Sequence, residues 1–120
     1  LKKALLPEGF TTLGARAFYS CEKLEEFTLP STLTTIKESA LDGCRVIKTI
    51  TFPDSITKLP ANVCNGCRAL EAVTLPKNLT EIGEGAFNIC PALKEITIPA
   101  TVTSIGKKAI GNRLYNQRLR

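Results

Sequence analysis

Residues 75–97 read LPKNLTEIGEGAFNICPALKEIT, and the way this stretch matches the rest of the chain decides the fold. A shift of 23 residues superposes the sequence on itself without a gap. Pro7, Pro30, Pro53, Pro76 and Pro99 keep that spacing, each after a large apolar residue: Leu6, Leu29, Phe52, Leu75 and Ile98. Cys21, Cys44, Cys67 and Cys90 keep it too, as do Thr11, Thr34, Thr57, Thr80 and Thr103. Self-similarity at a short fixed period marks a repeat architecture, so the chain is one module used again and again.

Within a unit, Leu24, Phe27 and Leu29 form an apolar trio that ends at Pro30 and reads as a short strand with alternate residues facing inward. The trio recurs at Ile47, Ile50, Phe52, at Leu70, Val73, Leu75 and at Leu93, Ile96, Ile98, with Leu1, Ala4 and Leu6 opening the series. Strands are therefore expected near 1–6, 24–29, 47–52, 70–75 and 93–98. Proline has no N–H to donate and ends each of them. A second apolar pair, Leu33 and Ile36 with their equivalents, marks a second short extended segment. Ala17, Phe18 and Cys21, like Ala86, Phe87 and Cys90, fall at the spacing of one face of a short helical or 3₁₀ turn.

A unit this short cannot bury its apolar side chains alone; it has neighbours only above and below, and stacking is obligatory. Parallel coils would lie ~4.8 Å apart, so each inward position becomes a column of like side chains. Residues 1–110 are read as five stacked 23-residue repeats, and 111–120 as a basic C-terminal tail or partial cap.

On these residues the chain resembles the BspA-like class of leucine-rich repeats, found in bacterial and protist surface proteins. The resemblance implies a right-handed leucine-rich-repeat solenoid, α/β to mainly β. A parallel sheet of short strands would line one face, with second extended segments and helical or 3₁₀ turns on the other. It also implies an extracellular or cell-surface location and a protein-binding or adhesion role. The third unit departs from the pattern, with Pro60 in place of the usual Gly and Cys64 in place of the usual Phe. The Asn ladder of commoner leucine-rich repeats is replaced by Gly9, Thr32, Ser55, Asn78 and Thr101.

The composition narrows the function. The chain has 120 residues, 43% hydrophobic and 22% charged, which suits one globular domain, and no apolar run approaches a membrane span. Histidine is absent, which removes imidazole chemistry altogether. The net charge of +5 resides in Lys107, Lys108, Arg113, Arg118 and Arg120, so residues 1–106 are neutral. A neutral body gives no phosphate-binding surface, and nucleic acid is not an expected partner. The first residue, Leu1, already stands inside the repeat pattern, so a piece of a longer protein is expected. No converging carboxylate dyad or Gly-rich phosphate loop occurs, and neither an enzyme nor a cofactor is expected.

Outward rows on the sheet face carry the expected contacts. One reads Lys2, Glu25, Lys48, Glu71, Lys94, alternating in charge at every step, which favours in-register stacking through lengthwise ion pairs. Beside it stand Glu26, Thr49 and Glu95, and a threonine row of Thr28, Thr51, Thr74 and Thr97. These twelve residues form the candidate surface for a host or matrix protein or a glycan. The other reading is a structural spacer with no ligand of its own. The open N-terminal end, where Leu1, Ala4 and Leu6 begin the apolar column, is the expected route to self-association.

Cys64 and Cys67 spell C-x-x-C, the spacing of redox and zinc sites. The repeat offers a simpler reading: Cys67 belongs to the cysteine column and Cys64 fills the row of Phe18, Leu41, Phe87 and Ile110. A zinc site would need further ligands from Cys44 or Cys90 in adjacent coils. Cys64 and Cys67 are expected to be buried, all five cysteines to be free thiols, and no metal is expected.

Overall fold

The computed structural model describes residues 2–110. They form a β-solenoid in which every strand pair is parallel. The coils are numbered by the repeat: residues 1–23, 24–46, 47–69, 70–92 and 93 onward. The first face carries β1 (Lys3–Leu5), β3 (Glu26–Thr28), β5 (Thr49–Thr51) and β7 (Ala72–Thr74). The second carries β2 (Thr12–Leu13), β4 (Thr35–Ile36), β6 (Lys58–Leu59), β8 (Glu81–Ile82) and β9 (Ser104–Ile105). Partners are always one repeat apart: Lys3 faces Glu26, Thr12 faces Thr35, Thr49 faces Ala72, and Glu81 faces Ser104. The sequence period is the length of one coil.

That register makes columns. Leu24, Ile47, Leu70 and Leu93 are buried in one, Leu33, Ile56 and Leu79 in another, and Ala40, Val63, Ala86 and Ala109 in a third. Each apolar side chain is covered by its own equivalents in the coils above and below, which the unit alone could not provide.

The strands differ from expectation in length. On the first face they hold three residues each. The N–H groups of Glu25 and Glu26 both reach the Lys2 carbonyl, at 2.8 and 3.1 Å, and the repeat proline closes the other end. Residues 93–98, expected as a fifth strand, form none, although Leu93, Ile96 and Ile98 keep the inward alternation and are buried. Burial holds this segment in place without a ladder to β7. Leu1 and the expected tail or cap at 111–120 lie outside the described residues.

The expected helical turn is also corrected: among the described residues there is no helix. Its place is taken by tight turns, in which Ala17 N–H donates to Gly14 O, Cys21 to Phe18 and Leu24 to Cys21, each at 3.2 Å. Arg16 (φ 56°) and Ser20 (φ 53°), the third residues of the first two turns, stand in the left-handed region, so consecutive turns cannot fuse into a helix. The same two rows are left-handed at Ser39, Gly43, Asn62, Gly66, Gly85, Ile89 and Lys108. Ile89 is β-branched, half exposed and still left-handed at φ 58°.

These turns supply a third ladder. Phe18 N–H donates to Ala40 O, Leu41 to Val63, Cys64 to Ala86 and Phe87 to Ala109, at 2.8 to 2.9 Å. The row that replaces the Asn ladder has its own use. The hydroxyls of Thr32, Ser55 and Thr101 donate to the carbonyls of Phe10, Leu33 and Leu79 in the preceding coil.

Candidate functional site

All twelve sheet-face candidates are exposed. The structure gathers Glu25, Glu26, Thr28, Lys48, Thr49 and Thr51 around clefts that run between β3 and β5. Glu25, Glu26, Val46, Lys48 and Thr49 line one cleft, and Phe27, Thr28, Leu29, Thr49, Thr51 and Pro53 the next. The clefts exist because no ladder joins β3 to β5, whereas β1–β3 and β5–β7 are paired. Glu71 and Thr74 stand one coil further on, Lys94, Glu95 and Thr97 on the segment without a ladder, and Lys2 at the opposite end.

Charge is arranged differently from the sequence expectation. Among the described residues, the row Lys2, Glu25, Lys48, Glu71, Lys94 makes no ion pair; Lys3 and Glu26 in the adjacent row pair at 3.7 Å. Long exposed side chains gain only ~0–1 kcal/mol from such contacts and give up freedom to make them, so alternation in sequence does not compel pairing. The groove therefore has carboxylates and an ammonium on its rim and an apolar floor that includes the half-buried Phe27. Val46, 37% exposed, was not signalled by the sequence, because its row reads Lys23, Val46, Ala69, Ala92 and has no constant character.

The cysteines take no part in this surface. All five are free thiols. The thiols of Cys44, Cys67 and Cys90 donate to the carbonyls of Phe18, Leu41 and Cys64, at 3.1, 3.3 and 3.2 Å. Each stacks on the turn of the coil before it. Burial pushes the Cys44 and Cys90 thiols up to about 12, and raises Cys64 as well. Among the described residues no three Cys, Asp or Glu side chains come together as metal ligands. No helix there is long and apolar enough to cross a membrane. Asp42, partly buried, has its carboxyl raised by desolvation, against hydrogen bonds from Ser39 and Asn65.

A chemical consequence follows from the buried column. With iodoacetamide at neutral pH, the folded chain should label at Cys21, the partly exposed member, while Cys44, Cys64, Cys67 and Cys90 react only after denaturation. Mass spectrometry of the native and unfolded samples reads this directly; rapid native labelling at Cys67 would place that thiol outside the core.

The family model that matches the chain is the BspA type leucine rich repeat region, in 6 copies over residues 1–116, so it carries the repeat beyond the point where the proline spacing stops. No curated protein matches the chain in sequence. Among solved structures, a leucine rich cell surface protein from Faecalibacterium prausnitzii A2-165 is 30% identical with a TM-score of 0.82, covering 94% of this chain and 31% of its own. The Treponema pallidum leucine rich repeat protein gives 28% identity and a TM-score of 0.86, over 93% and 55% of the two chains. The pneumococcal vaccine antigen PcpA gives 28% and 0.71, over 99% and 34%. The chain thus spans between about a third and about half of the structures it resembles. By its 23-residue register, its parallel coils and the family match over residues 1–116, the chain belongs to the BspA-type leucine-rich repeat family.

Proposed function

We propose that the chain is a non-enzymatic interaction and adhesion module, at a cell surface or secreted, whose sheet face contacts a host or matrix protein or a glycan. The groove between β3 and β5 carries this reading, because it collects six of the candidate residues around one concave strip. One structural neighbour is a leucine rich cell surface protein and another a vaccine antigen, which supports the location. The strip is small against the ~800 Å² per partner of a stable interface, so a single copy binds weakly and density on a surface supplies the strength.

The test is an array of immobilised glycans and matrix proteins probed with the chain displayed at high density. Substituting Lys48, Thr51 and Glu71 together by alanine should cut retention about tenfold or more, a loss of ~1.4 kcal/mol, with the circular dichroism spectrum unchanged. Retention unchanged by the triple substitution contradicts the sheet-face site; the absence of any ligand favours the spacer.

A specific observation also supports contact between copies. Three of the exposed large apolar side chains, Leu5 (57%), Phe10 (37%) and Tyr19 (52%), lie in the first coil. Light scattering should show a concentration-dependent dimer, which Leu5→Glu abolishes; a monomer at all concentrations would exclude it.

A further inference from the structure

Three backbone ladders tie coil to coil, one on each β face and one along the turns. On the second face the pattern is strict at three junctions. Thr34 N–H donates to Thr11 O at 2.9 Å, Thr80 to Thr57 at 2.8 Å and Thr103 to Thr80 at 2.9 Å. The hydroxyls of the same three threonines reach the same three carbonyls. Lys37, Gly83 and Gly106 then donate to Leu13, Leu59 and Ile82 at 2.8 to 2.9 Å. Between the second and third coils every one of these bonds is missing, and so is the ladder between β3 and β5 on the first face. It is the one junction among the described residues that lacks both.

The residue that follows Lys37 and precedes Gly83 in the row of the third donor is Pro60. It has no N–H to give to Ile36 O, and its ring carbon occupies the place of the hydrogen. A bond of ~1.46 Å from nitrogen plus a carbon–oxygen contact of ~3.3 Å sets nitrogen and oxygen ~4.8 Å apart in line, some ~2 Å more than a hydrogen bond. A cleft lined by Thr34, Thr35, Ile36, Thr57, Lys58, Leu59 and Pro60 lies along that stand-off. The turn ladder, in contrast, crosses the junction intact: Ser39 to Ala61, Leu41 to Val63 and Gly43 to Asn65, at 3.0, 2.9 and 2.8 Å. The core is closed there as well, with Ile36, Leu59, Leu41, Cys64, Cys44 and Cys67 all buried.

We infer that this junction is a joint: Pro60 wedges the two β faces apart, and the first two coils tilt against the rest about the unbroken turn ladder. The groove proposed as the contact surface lies over the same junction, so the joint sets its width and the curvature of the sheet face. A single stacked array thereby behaves as two short rigid blocks.

The test reads the backbone alone and needs no ligand. In NMR-detected amide exchange on the whole chain, Thr57 should exchange at least about tenfold faster than Thr34, Thr80 and Thr103, while Leu41 on the turn ladder stays as protected as Phe18 and Phe87. Pro60→Gly, which returns the donor and removes the ring, should slow Thr57 to the level of Thr80; Pro60→Ala should do the same. Thr57 as protected as its equivalents in the unaltered chain would overturn the joint. So would Thr57 exchange that neither substitution slows, with Leu41 unchanged as the internal control.

Discussion

Replacing Phe87 by alanine should lower the stability of the chain by about 3–5 kcal/mol. Phe87 is 1% exposed and sits in the row of Phe18, Leu41, Cys64 and Ile110, where it is covered by small or branched neighbours that cannot expand to fill its place. Its N–H donates to Ala109 O at 2.8 Å, so the backbone that carries the ring is fixed to the next coil and cannot close the cavity by collapse. Because coils contact only their neighbours, the damage falls on two interfaces at once. Urea denaturation followed by circular dichroism measures it. A loss below ~1 kcal/mol would mean that the ring is not packed in the column. Phe18 is the useful contrast: it is only half-buried, edge-on to Phe27 at 5.0 Å, and its removal should cost less.

Gly83→Ala should cost about 1–3 kcal/mol by overpacking alone. A Cβ at Gly83 would stand 2.6 Å from both Ala61 N and Pro60 C and 2.9 Å from Leu59 O. All three are backbone atoms of the coil beneath, which cannot swing aside as a side chain would. Gly14 occupies the same row in the first coil with nothing within 4 Å of its Cβ position, so Gly14→Ala should stay within ~0.5 kcal/mol of the parent. The two thermal melts, compared side by side, separate coil-on-coil crowding from any general effect of glycine. Equal melting temperatures for the two variants would contradict the close approach of the third and fourth coils.

The repeat made the large features legible. A period of 23 residues in Pro, Cys and Thr can be kept only if equivalent residues meet, and the observed register joins Lys3 to Glu26 and Lys58 to Glu81 accordingly. The inward trios were readable because burial acts on each residue type by itself. The turn was not, since a helical turn and a pair of tight turns place Ala17, Phe18 and Cys21 on one side alike. The distinction rests on left-handed backbone at Arg16 and Ser20, which neither residue type announces. The charge row of Lys2 and Glu25 was visible but not decisive, because exposed pairs are too weak to specify their geometry. Pro60 stood out as a departure, yet its effect depends on knowing that this row donates to the coil before it, a fact of stacking that no single unit displays. The groove followed from that stand-off, and with it Val46, whose row has no pattern to read.

A diffraction map of the chain bears most directly on the claim that like residues stack on like. It should show the sulfurs of Cys44, Cys67 and Cys90 in file, each within hydrogen-bond reach of the carbonyl 26 residues earlier, at Phe18, Leu41 and Cys64. Sulfurs dispersed among different elements, with those carbonyls bound elsewhere, would contradict the solenoid and everything built on it.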